Sequence, residues 1–322
     1  MNRCREWPYL TLALVLGWTA QPTPAQESGG AAAITLPTKY VADRFFAVPV
    51  TPGGLELNLM VSTGEESLLY TDTAAQLATP ITSGTEGGAT VLPAFDAQLA
   101  IPSPHGNGGM IPLIPARYRR ADLDASCFGI LGESWFADAI WTLDYPAKKL
   151  QLRPVGNLPK VDPSHVVPLG FRTSGMRSRD NNLPRITVHI AGERLFMLLD
   201  TGASCELTDA VRAAMGEKVP RVGAMSFISS KLLETWQKKH GWRVVKSAEK
   251  GSDASMIEVP IVELAGYKVG PVWFVSRTES YLRNNLSRKL DRRVEGILGG
   301  NVLKYFRVTL DIPGAEARFE KP

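Results

Sequence analysis

Apolar residues along this chain gather in short runs broken by glycine, proline and small polar residues. Phe45 to Val50, a turn at Pro52-Gly53-Gly54, and Leu55 to Val61 predict a β-hairpin. Arg185 to Ile190, a turn at Ala191-Gly192-Glu193, and Leu195 to Leu199 predict a second hairpin of the same design. Thr71-Asp72 and Thr208-Asp209 read as the starts of two short helices, with Asp72 and Asp209 as matching caps and Gly216 as a stop. Ile228, Leu232 and Trp236 fall at four-residue spacing and predict an amphipathic helix over 229–236. Packing on a lobe surface is the expected role of that helix, ahead of a lid or partner face.

These elements recur. Gly129-Ile130-Leu131-Gly132 returns as Gly296-Ile297-Leu298-Gly299, Thr142-Leu143-Asp144 as Thr309-Leu310-Asp311, and Pro146 as Pro313. All eight identities share one offset of 167 residues without a gap, which reads as a duplicated unit. Pro154, Pro159, Pro163 and Pro168 mark a linker with little regular structure. The expected organisation is a first lobe over 34–153, a linker over 154–170 and a second lobe over 171–322. The second lobe has the longer middle, attributed to an insertion that includes the helix near 229–236.

Residues 1–25 read as a secretory signal, with Arg3 and Arg5 before an apolar stretch from Leu10 to Trp18 and a small-residue site at Thr23-Pro24-Ala25. The protein is therefore expected to be exported, periplasmic or extracellular, with no membrane segment after signal removal. Formal net charge is +4 for the whole chain, too small to imply a nucleic-acid partner. Cys127 and Cys205 are expected as separate buried thiols, with a disulfide as the alternative. The four histidines make no metal-ligand spacing and no nucleotide-binding glycine loop is present, so no cofactor or metal is expected. Arg283, Arg288, Lys289, Arg292 and Arg293 read as a solvated face.

The chemistry concentrates in two matching loops. Phe196 to Leu199 runs into Asp200-Thr201-Gly202-Ala203-Ser204, and Leu57 to Val61 runs into Ser62-Thr63-Gly64. A hydrophobic strand, an Asp-Thr-Gly turn, a later Gly-Ile-Leu-Gly and duplication of the whole together resemble the aspartic peptidases. The likeness is to retropepsin and pepsin-type enzymes in a two-lobed form. It covers nearly all of the chain after the signal. The resemblance implies an all-β-dominated, two-lobed aspartic-protease-like β-barrel fold with short helices and a helical insertion in the second lobe. It also implies a monomer, with a homodimer as the alternative, acting on an extended peptide or protein in the cleft between lobes.

By the same resemblance Asp200 is the catalytic carboxylate. Thr201 and Thr63 bond across the interface, Gly202 and Gly64 permit tight turns, and Ala203 and Ser204 complete the second loop. The resemblance further implies a flap, for which Ser83 to Ala89 is the candidate. Ser62 stands where the partner aspartate belongs. Two carboxylates that share a proton divide the acid and base roles, and a serine can hold water but cannot act as a base near neutral pH. Glu65 and Glu66, displaced three or four residues from the serine, are expected to point elsewhere. Two readings stay open: an aspartic-type endopeptidase using Asp200, and a silent relative that binds extended peptide.

Overall fold

The computed structural model describes residues 32–77, 81–82, 88–92, 95, 101–102, 110–175, 178–216 and 219–322. The proposed signal lies outside them, as do Ser83 to Gly87 of the flap candidate. Gly88 and Ala89 are described, and the short strands Ile81–Thr82 and Ala89–Val91 pair on either side of that candidate tip.

β-structure dominates, arranged as two lobes on a shared sheet. The first lobe forms an eight-stranded sheet whose middle runs Arg44–Ala47, Leu59–Val61, Gly129–Leu131, Leu68–Tyr70 and Met110–Ile114. The nine-stranded sheet of the second lobe has the middle order Arg185–Ile190, Glu193–Leu199, Gly296–Leu298, Ser226–Ser229 and Val272–Arg277. Strand directions agree pair by pair. Each loop strand lies parallel to its Gly-Ile-Leu strand, in the same register: Leu59 opposite Gly129, Met197 opposite Gly296. Both Gly129 and Gly296 are crowded, since a Cβ would fall 2.1 Å from the Leu68 carbonyl and 2.0 Å from that of Phe227. Backbone approach, not turn geometry, selects glycine there.

A six-stranded sheet joins the lobes, ordered Ile34–Thr35, Lys149–Arg153, Ile140–Asp144, Arg307–Asp311, Glu316–Glu320 and Val166–Pro168. At its centre Thr142 pairs with Thr309, the residue 167 positions on, and their buried hydroxyls lie 2.8 Å apart. Residues matched by the sequence offset thus meet face to face. One apolar cluster runs from Leu57 and Val61 through Trp141 and Leu143 to Met197, Leu199 and Phe306, so the two lobes share a core. Val166–Pro168 belongs to this joining sheet, so the proline-marked segment is partly regular. Its three residues pair with Arg318, Ala317 and Glu316.

Both hairpins form. The second starts at Arg185 as expected and turns on Ala191 and Gly192, both at positive φ, while Glu193 already belongs to the returning strand. Topology corrects the pairing of the helices. The helix Thr71–Ala74 follows the strand Leu68–Tyr70, and its counterpart follows Ser226–Ser229: it is Ser230–His240. The helix Asp209–Met215 instead belongs to an insertion carried by the small hairpin Ser204–Glu206 and Val222–Ala224. Neither Asp72 nor Asp209 is an N-cap. Tyr70 and Thr208 occupy those positions, without side-chain capping bonds. The helical insertion of the second lobe is therefore the 204–224 excursion, and the longer helix is the enlarged partner of a first-lobe element.

Ser229 caps that longer helix by accepting a bond from Leu232 N, and Gly241 closes it in the left-handed conformation. Leu233 and Trp236 are its buried face, packed against the strands of the second lobe. No helix among the described residues is long and apolar enough to cross a membrane. Trp236 is fully buried, yet its indole N–H finds no partner among the described residues. Trp236→Ala is expected to lower unfolding stability in urea by about 3–5 kcal/mol. Trp236→Phe should cost far less, because no hydrogen bond is lost with the indole.

Candidate active site

Each loop is hung from the neighbouring Gly-Ile-Leu strand by the same bond. Ser62 N donates to Leu131 O and Asp200 N donates to Leu298 O, both at 3.0 Å. This brings the two turns tip to tip across the lobe interface. Thr63 Oγ1 donates to Leu199 O at 2.7 Å and accepts from Thr201 N at 3.1 Å. Thr201 Oγ1 donates to Val61 O at 3.1 Å and accepts from Thr63 N at 3.2 Å. Four buried backbone groups are thereby satisfied by two hydroxyls. Both threonines make the cross-lobe bonds expected of them.

The glycines pack reciprocally as well. A Cβ on Gly64 would sit 2.3 Å from Asp200 Cγ, and one on Gly202 would sit 2.5 Å from Ser62 Cβ. Ser62 and Asp200 therefore occupy corresponding places. Ser62 Oγ donates to Asp200 Oδ1 at 2.8 Å, and Gly202 N donates to the same oxygen at 2.9 Å. Asp200 is 5% exposed. Burial pushes its carboxyl above the ordinary value, against the pull of Arg120, the Ser62 hydroxyl and the Gly202 and Gly64 N–H groups.

Asp72 takes no part here: its carboxylate pairs with Arg119 at 2.6 Å. Glu65, by contrast, does not point away from the loops as expected. Its carboxylate forms a close ion pair with Arg120, and it lines the same cavity of about 350 Å³ as Asp200. The Glu65 backbone is anchored, its carbonyl accepting from Glu133 N at 2.7 Å, and its side chain is held in the cleft by Arg120. Its position matches Ala203 of the second loop, where only a methyl is present.

The remaining parts of the cluster carry no motif. Arg120 forks onto both oxygens of Asp122, at 3.0 and 2.7 Å, and reaches Gly202 O at 3.2 Å and Ser204 Oγ at 3.0 Å. Ser204 also donates to Asp122, so the second loop is tied to the first lobe through this arginine. Arg44 lies 3.6 Å from Asp122 and is buried. Burial pushes Asp122 up, but Arg120, Ser204 and Arg44 together hold its carboxyl below the ordinary value. Arg119-Arg120 flanked by a carboxylate was the one visible signal, and without a spacing rule it pointed nowhere.

Tyr281, 40% exposed, stands over the cluster from the helical segment Tyr281–Leu286. It lines both the Asp200 cavity and a second cavity of about 430 Å³ bounded by Gly64, Leu183 and Lys289. Glu65 and Arg120 line both cavities too, so the cluster sits where the two halves of a cleft join. Cys127 and Cys205 are buried free thiols, and Cys205 lines the Asp200 cavity. Arg283, Arg288, Lys289, Arg292 and Arg293 are exposed, and Lys289 reaches Glu66 of the other lobe at 3.2 Å.

No family model matches the sequence, and no curated protein matches it. Solved structures that match include an aspartic proteinase from Irpex lacteus, 12% identical over 90% of this chain and 97% of that one, with a TM-score of 0.47. Conglutin gamma, a basic 7S globulin of lupine seeds, is 10% identical over 90% and 95%, with a TM-score of 0.43. Basic 7S globulin from soybean is 10% identical over 89% and 94%, with a TM-score of 0.40. All three likenesses are distant, and none carries an activity across. The sheets and loops above give the chain a two-lobed, β-rich fold in which two like loops meet.

Thr201→Val strands the Val61 carbonyl and the Thr63 amide in a buried interface, at roughly 1–3 kcal/mol for each group. Chemical denaturation is expected to show that loss. Burial, opposed by Arg120 and assisted by Asp200 and Asp122, pushes Glu65 from 4.5 up to about 7. A carboxyl raised on folding stabilises the fold while protonated. Its contribution is complete below about 4.5 and lost as pH rises through about 7. Thermal unfolding at constant ionic strength should therefore decline more steeply between pH 5 and 8 in the wild type than in Glu65→Gln.

Proposed function

We propose that this chain is an exported aspartic-type hydrolase that cleaves peptide bonds with Asp200 as the base. The observation that carries this reading is the intact loop pair. Asp200 sits buried at the wall of the cavity of about 350 Å³, held by the Ser62 hydroxyl and two backbone N–H groups, with both threonine bridges formed. The Ser62 and Gly202 donors on Oδ1 fix the orientation of the carboxylate that would take a proton from water. An extended peptide is the substrate that fits a cleft running across both lobes, and the pepsin and retropepsin resemblance supports the same class. Ser62 makes the first loop a degenerate copy. The sequence duplication, the export signal and a monomeric state belong to this proposal.

A silent relative that binds peptide is the second reading. One observation favours it: Ser62 already satisfies the carboxylate oxygen that would otherwise face a partner acid. The two readings separate with a peptide library incubated between pH 3 and 8. Under the hydrolytic reading the wild type cleaves, and Asp200→Asn loses on the order of 10²-fold or more. Activity surviving Asp200→Asn sinks the aspartic mechanism, and binding without turnover selects the silent relative. Ser62→Asp should raise or create turnover confined to acid pH. Gly202 leaves room at Ser62 as Gly64 does at Asp200.

A further inference from the structure

Ionisable groups gathered at the paired loops do not cancel: Asp200, Arg44 and the Asp122 side chain are buried, while Glu65 and Arg120 are half-buried. Glu65, Asp122 and Asp200 face two cations, Arg120 and Arg44. The other charges lining the Asp200 cavity are already paired with one another. Arg277 is bonded to both oxygens of Glu249, at 2.7 and 2.9 Å, and Lys250 to Glu206 at 2.8 Å. Behind the loop, Glu133 accepts from Asn182 N, and on the cleft side Lys289 pairs with Glu66. Tyr281 lines the cavity beside Asp200 and Glu65, and burial and their charges raise its phenol above the ordinary value. Three carboxylates against two guanidinium groups leave one negative charge uncompensated, and a low-polarity site removes such a charge by holding a proton.

Asp122 cannot be the proton's host. Two arginines and the Ser204 hydroxyl all favour its ionised form. The proton is left to Asp200 and Glu65, which line one cavity and repel each other when both are charged.

We propose that Glu65 is the second catalytic carboxyl of this site, sharing one proton with Asp200 in place of the aspartate that Ser62 replaces. This inference rests on the hydrolytic reading above. Its chemistry is a balanced amide hydrolysis. Asp200 takes a proton from water as the water oxygen bonds to the carbonyl carbon. Glu65 gives its proton to the amide nitrogen as the C–N bond breaks. The products are a carboxylic acid and an amine, and the proton on Asp200 passes through solvent to restore Glu65. Burial and the Asp200 charge raise Glu65 to about 7, which keeps it protonated over the acid and near-neutral range that a general acid needs.

The full-length protein tests this by two measurements. In kcat/KM against pH, Glu65→Gln should lose on the order of 10²-fold and also lose the fall in rate near pH 7. Glu263→Gln, which breaks only a surface pair with Lys268, serves as the control and keeps the wild-type profile. Carboxyl carbon NMR supplies a readout independent of turnover: in Asp200→Asn the titration of Glu65 should move to lower pH, since a repelling charge is gone. A folded Glu65→Gln that keeps the wild-type rate and profile overturns this inference and leaves the hydrolytic reading standing. Asp200→Asn keeping activity overturns the hydrolytic reading instead. If the wild type shows no turnover, the hydrolytic reading fails with Glu65's catalytic role. A Glu65 titration indifferent to Asp200→Asn overturns the shared proton under any of these outcomes.

Discussion

Everything at this site depends on the exchange of hydrogen bonds between Thr63 and Thr201. Two turns brought tip to tip at a dry interface expose backbone groups that no strand can pair. Each threonine reaches across, donating to the strand beneath the other loop and accepting from the other threonine's amide. A buried polar group without a partner costs more than the net worth of the bond it would make. The arrangement is therefore nearly all or none: either both lobes present their loops in this register or four groups are stranded. Such a constraint fixes the spacing of whatever residues precede the threonines. Ser62 is held against Asp200 at hydrogen-bond distance because Thr63 and Thr201 permit no other geometry.

Charge imposes the second constraint, and it acts on a larger group of residues than the loops themselves. Arg120 is bonded to Glu65, Asp122, Ser204 and the Gly202 carbonyl, so it connects the first lobe to the second loop as firmly as the threonines do. A guanidinium can do this because its donors lie in a rigid planar fork. A lysine would supply the charge without the simultaneous geometry. The arginine also lowers the cost of ionising Asp200, opposing the burial that raises its carboxyl. Position at Asp200 thus comes from the threonine bridges, and proton affinity from burial set against Arg120, the Ser62 hydroxyl and the loop N–H groups.

Much of the frame was legible because periodic features survive translation into sequence. The hairpins, the loop turns and the Gly-Ile-Leu strands are local, and the constant offset brought Thr142 opposite Thr309. Where the reading failed, the determinant was non-local. A shared Thr-Asp pair suggests Asp209–Met215 as the match of the helix Thr71–Ala74. Only the order of strands shows that Ser230–His240 is its counterpart and that 204–224 is the inserted piece. Distance along the chain suggests that Glu65 points elsewhere, although a tight turn reverses direction and returns the third residue to the cleft. Arg120 and Tyr281 come from segments with no pattern of their own, and folding alone brings them to Asp200.

A serine at position 62 is physically consistent with this wider cluster. With Glu65 directed inward, an aspartate at 62 would set four carboxyls against Arg44 and Arg120, and two protons would have to be held to reach neutrality. A hydroxyl removes that burden while keeping a donor on Asp200, so the loop pair closes without a further buried charge. Seen from the first loop alone, Ser62 is a loss. With Glu65 three residues on and Ala203 opposite, the second loop has an acid at the first position and a methyl at the fourth, and the first loop has a hydroxyl at the first and an acid at the fourth. The two loops are then complementary, each supplying one carboxyl from a different place in the same turn.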